Sequence, residues 1–127
     1  MDVVGLASRI LFSSIFIVSA IGNLKGLDHA SRIAAASGAA FPKLLTLLAS
    51  LLSLFGGISI ALGYRVEVGS ILVLLFLIPV TFMTHRFWKY TDPREAGMQQ
   101  AHFWKNIGLI GGALFILYHG AGPISLG

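Results

Sequence analysis

The sequence predicts an all-α integral membrane protein, a four-helix transmembrane bundle with a short interfacial helix in the first connecting segment. Three observations predict it. Charged residues make up only 11% of the chain and hydrophobic residues 56%, whereas a soluble domain carries about 25% charge to cover its surface. The apolar residues are gathered into long runs, and the nine Lys and Arg lie almost entirely in or beside the segments between them. A length of 127 residues allows one domain at most, spanning 1–127.

A helix needs about 20 mostly apolar residues to cross the hydrocarbon. Residues 3–22 form the first such stretch. Asp2 stands where a signal peptide would be basic, and Arg9 interrupts the apolar run, so this stretch reads as a retained helix. Residues 27–37 are Ala-rich behind Asp28, a helix cap, and read as the interfacial helix. Residues 43–63 carry no charge after Lys43 and form the second span. Gly63-Tyr64-Arg65-Val66-Glu67 is then a tight turn into the third span, 67–85, where Pro79 removes one backbone hydrogen bond and predicts a kink.

The fourth span, 103–119, contains an apolar run that is too short alone. Asp92-Pro93-Arg94-Glu95 supplies an upstream helix start: an acidic cap, proline at the first helical position, and an acid three residues after the cap. The first turns of this helix, with Gln99, Gln100, His102 and Lys105, would stand out of the hydrocarbon. Gly56 and Gly57 in the second span, and Gly108, Gly111 and Gly112 in the fourth, read as positions where helix backbones approach closely.

Lys25, Arg32, Lys43, Arg86, Lys89, Arg94 and Lys105 fall on one side of this topology, and Arg9 and Arg65 on the other. That asymmetry places the first and third connections in the cytoplasm and both termini outside it, in the inner (plasma) membrane. The net charge of +4 then serves topology and anionic headgroups, with the lipid bilayer rather than nucleic acid as partner. With no cysteine, disulfide exchange, thiolate chemistry and iron–sulfur ligation are excluded.

Two polar groups are candidate sites. Asn23 and Lys25 end the first span, His85 ends the third, and His102, Lys105 and Asn106 enter the fourth, so all six gather at one face of the bundle. Imidazole, carboxamide and ammonium together suit polarising a carbonyl or moving a proton, and equally suit interfacial hydrogen bonding. Trp88, Tyr90, Phe103 and Trp104 surround them as an interfacial aromatic belt. Arg9 is the second candidate, because a charge about 9 Å inside a span must snorkel or be paired. Its candidate partners are Glu67, Asp2, the terminal carboxylate and lipid phosphate, with His119 near the same face. No metal site is expected, and His85 with His102 is poor geometry for haem.

The ordered set of Arg9, Asn23-Leu24-Lys25, Leu54-Phe55-Gly56-Gly57, Leu62-Gly63, His85, the stretch 103–112, and Gly120-Ala121-Gly122-Pro123-Ile124-Ser125-Leu126 resembles the DoxX family of small bacterial membrane proteins. The resemblance implies a four-helix membrane bundle. Some relatives are linked to quinone-coupled oxidation, such as thiosulfate:quinone oxidoreductase, and others assist membrane-associated oxidoreductase or detoxification complexes. Relatives often carry a glutamate where Ser53 stands, and an acid where Gly127 stands, which puts any chemistry of those carboxylates in doubt here.

The expected function is an accessory or quinone-interacting subunit of a membrane oxidoreductase, with quinone as the cofactor and a membrane-associated oxidoreductase or a second copy as partner. The alternatives are a non-catalytic scaffold or assembly protein, and a small solute transporter. Arg9 in the first span disfavours the export of cations.

Overall fold

The computed structural model describes residues 2–36, 38–122 and 126. The expected helix end at residue 37, and Pro123, Ile124, Ser125 and Gly127, lie outside the described residues, as does the side chain of Asp2. The elements are α1 (Asp2–Lys25), α2 (Leu27–Ala36), α3 (Pro42–Leu62), α4 (Val66–Thr84), a single 3-10 turn (Phe87–Lys89) and α5 (Pro93–His119). All of them are helical. Three stretches, Val3–Lys25, Pro42–Leu62 and Val66–Lys89, are long and apolar enough to cross a membrane.

Local chemistry sets the boundaries. Gly26 alone separates α1 from α2, and α2 then folds against α3, fastened at the surface by Lys43 Nζ and Asp28 Oδ1 at 3.3 Å. Proline at the start of α3 and α5 exploits a position where the missing N–H is harmless. The Asp92 carboxylate accepts from the Arg94 N–H at 3.1 Å, so the expected cap forms. α4 continues as helix through Pro79.

The carboxyl end of α3 is closed with unusual completeness. Gly63, at φ 67°, donates its N–H to the Ile60 carbonyl, and Tyr64 donates to that of Ser59. These two bonds form a Schellman motif. The carbonyls left over are reached from elsewhere: Arg9 Nη1 lies 3.4 Å from that of Ala61, and the Leu126 N–H lies 3.2 Å from that of Leu62. In a low-dielectric setting an unmatched carbonyl is expensive, so this closure stabilises the helix end.

α3 sits between α1 and α4, and glycine sets both distances. A methyl on Gly57 would stand 2.9 Å from Ile17 Cγ1 and 3.3 Å from the Ser13 carbonyl oxygen. One on Gly56 would stand 2.8 Å from Val73 Cγ2 and 2.9 Å from the Gly69 carbonyl oxygen. Gly112 fits against the Phe12 ring and carries α5 onto α1. The packing expected of Gly108 and Gly111 does not occur: nothing lies within 4 Å of a methyl at either. Gly112 is turned about 40° from Gly108 and about 100° from Gly111 on the helix, away from Gly111, and takes the contact alone.

The core is off-centre. Phe16, Ile60, Val73, Leu77 and Ala113 pack together toward the Arg9 end of the bundle. Toward the other end the helices part and leave a cavity, over which α2 lies.

Candidate functional site

The cavity has a volume of about 710 Å³. Its walls come from the second half of α1, the first half of α3, the end of α4 and the middle of α5, with Ala30, Ile33 and Ala34 of α2 as cover. Most of the lining is aliphatic, and no Asp or Glu contributes to it. Its polar groups are Ser19, Asn23, Thr46, Ser50, Thr84, His85, Lys105 and Asn106.

Helix periodicity explains the grouping. Ser19 and Asn23 are one turn apart on α1, as are Thr46 and Ser50 on α3. Asn106 is 5% exposed, on the inner face of α5, while Lys105 beside it is exposed. Ser50 is 1% exposed, and its hydroxyl has no hydrogen-bond partner although it lines the cavity. An unmatched buried hydroxyl costs about 1–3 kcal/mol, which a hydrogen-bonding ligand would recover. The buried hydroxyls of Ser70 and Thr81 also lack partners but do not line the cavity. Ser53, one turn from Ser50, instead donates to the Phe16 carbonyl oxygen at 2.9 Å and ties α3 to α1.

The structure therefore brings together Asn23, His85, Lys105 and Asn106 at the cavity, as their positions in the sequence predict. His102 stands just behind them, its ring 5.1 Å from that of His85. His85 Nδ1 lies 2.7 Å from Gln99 Oε1, and in the tautomer that donates there Nε2 is an acceptor. Lys105 Nζ lies 3.5 Å from His102 Nδ1. Burial first, then the Lys105 ammonium and His85, hold the His102 imidazolium below the ordinary histidine value. Lys25 is exposed at the end of α1 and lies outside the cavity wall.

Ser50, Thr46 and Gln99 belong to this site and were not singled out from the sequence. Serine in an apolar helix carries no mark of which face it occupies. The aromatic residues form more than a belt: Phe103 makes edge-to-face contacts with Phe82, Phe87, Trp88 and Trp104 and pins the 3-10 turn to α5.

The second candidate group resolves differently. Arg9 is 4% exposed and does not snorkel to the surface, and its Nη1 donates to the Ile60 carbonyl at 3.2 Å. A guanidinium at a helix carboxyl end meets the negative pole of the helix dipole. Glu67 is exposed in the first turn of α4, and His119 is exposed at the end of α5, stacked with Phe115 and Tyr118.

Comparison with known proteins adds family membership. The DoxX family profile matches residues 4–86, which takes in α1 to α4 and His85 but leaves α5 outside. The chain is also similar to the ER-derived vesicles protein ERV29 of Saccharomyces cerevisiae, with 29% identity over 75 residues. That similarity covers 59% of this chain and 24% of the yeast protein, so the chain spans about a quarter of that relative's length. No solved structure matches the chain. With a profile match over well more than half its length, and three helices of membrane-spanning length and apolarity, the chain belongs to the DoxX family of membrane proteins.

Proposed function

We propose that this DoxX protein is an accessory subunit of a membrane oxidoreductase and holds a quinone in the cavity beneath α2. The observation that carries this reading is the unmatched Ser50 hydroxyl in a largely aliphatic cavity whose remaining polar groups include Asn106, Lys105 and His85. An apolar ring with carbonyl oxygens fits that lining, because donors are available and no carboxylate opposes the oxygens. The volume of about 710 Å³ lies within the ordinary ligand range of roughly 300–1,000 Å³. A bound quinone would supply an electron acceptor within the membrane. Ser50, Asn106 and Lys105 would hold its carbonyl oxygens, His85 Nε2 would accept from a reduced ring hydroxyl, and α2 would keep water out.

This reading includes a fourth crossing, made by 103–119 of α5, with the polar turns from Pro93 to His102 standing beyond the hydrocarbon. In support, α5 packs along α4 and touches Phe12 of α1 through Gly112. In this reading the 3-10 turn and α2 face the cytoplasm and both termini lie outside the cytoplasm at the inner membrane, which the charge asymmetry supports.

The test is titration of a short-chain ubiquinone into the protein in quinone-free nanodiscs, read by tryptophan quenching. Saturable binding is expected, weakened about fivefold by Ser50→Ala and again by Asn106→Ala. No saturable quenching would overturn the quinone assignment.

A scaffold role is the second reading. It is favoured by the open, close-approach surface that Gly108 and Gly111 leave on α5, which suits a helix of a partner or of a second copy.

A further inference from the structure

Beside the large cavity lies a second one, of about 330 Å³, lined by Ala36, Met83, Thr84, Arg86, Lys89 and Tyr90. It shares Met83 and Thr84 with the first, yet its character is opposite. Two cations and two hydroxyls line it, and no acid does.

The 3-10 turn builds this arrangement. The Lys89 N–H bonds to the carbonyl of Arg86, the residue that precedes the turn, at 3.0 Å, and both side chains line the cavity. The rings of Phe87 and Trp88 are committed to Phe103 of α5, which leaves the basic pair to face the end of α2 at Ala36.

We infer that this second cavity seats the phosphate of an anionic membrane phospholipid. A guanidinium and an ammonium complement phosphate oxygens, and the Thr84 and Tyr90 hydroxyls are suited to donate to the oxygens that remain. The site lies at the end of an apolar stretch, Val66–Lys89, that is long enough to cross the membrane, where headgroups are found. Met83 and the shared rim with the large cavity offer an apolar path for the chain that the headgroup carries. The lipid would lie across the gap between α2 and the 3-10 turn, beside the proposed ligand cavity, and the inference stands whether or not quinone occupies that cavity.

The test is native mass spectrometry of the protein in mild detergent, titrated with dioleoyl phosphatidylglycerol, dioleoyl phosphatidylcholine or inorganic phosphate. Saturable retention of phosphatidylglycerol in preference to phosphatidylcholine is expected. Arg86→Gln with Lys89→Gln should weaken it about twenty-five-fold, roughly fivefold for each charge. Lys25→Gln with Arg32→Gln removes the same charge from the same end outside the cavity, and should change retention less than twofold. The swap Arg86→Lys with Lys89→Arg keeps both charges and should keep binding, which separates loss of the site from loss of the fold. Equal losses in the two neutralised pairs would reduce the effect to general surface charge and overturn the site. Displacement of the lipid by millimolar inorganic phosphate would overturn the lipid assignment in favour of a free anion.

Discussion

The guanidinium of Arg9 donates to the carbonyl oxygen of Ile60 at 3.2 Å, across the crossing of α1 and α3. Arg9, the one buried charge among the described residues, thus completes the end of a neighbouring helix. Arg9→Met should lower stability by about 2–3 kcal/mol, because a charge-assisted bond is lost and buried carbonyls are exposed to lipid. Arg9→Lys should recover part of this, since an ammonium lacks the planar fork. Thermal melting in detergent, followed by circular dichroism, measures both.

The glycines of α3 and α5 should respond in opposite ways. Gly56→Ala drives a methyl to 2.9 Å from the Gly69 backbone oxygen, and should cost about 1–3 kcal/mol as α4 is pushed away. Gly108→Ala meets nothing within 4 Å, and should leave stability within about 1 kcal/mol of the parent. The same melts compare them, and size-exclusion chromatography of Gly108→Ala reports on whether that open face is used by a second copy.

Ser53 joins two helices through one hydrogen bond to the Phe16 carbonyl. Ser53→Ala should therefore cost about 0.6–1.7 kcal/mol, from the average to the largest value that double-mutant cycles give for polar contacts between membrane helices. An equal loss in a variant that also carries Phe16→Leu would show the bond to be independent of that ring, since its acceptor is backbone.

His102 titrates below the ordinary histidine value of 6.5, through burial first and then Lys105 and His85. The sign follows from linkage. Between the folded value and 6.5 the unfolded chain binds more protons than the folded one, so stability is full above pH 6.5 and falls as the pH drops toward the folded value. Melting temperature against pH should show this decline in the parent and less of it in His102→Asn. Lys105→Gln should raise the His102 midpoint in an NMR titration only partway, because burial remains.

Much of this architecture was legible before any coordinates. The long apolar runs marked α1, α3 and α4, and Asp92-Pro93 marked the start of α5, because caps and hydropathy are local properties. Asn23, His85, Lys105 and Asn106 could be grouped because helix ends on one side of a bundle must meet. That Arg9 also reaches the Ile60 and Ala61 carbonyls could not be read, since a backbone carbonyl has no residue-type signature. Nor could Ser50 be told from Ser53, or Gly111 from Gly112. Each choice depends on how its helix is rotated about its axis, and apolar residues all round a helix leave that rotation open.

The closure of α3 also bears on the order of assembly. Its final carbonyl is matched by the amide of Leu126, so that helix end stays incomplete until translation has passed α5. An insertion intermediate holding only the first three helices would keep a polar defect in lipid, and would be a natural substrate for insertases and membrane quality-control proteases.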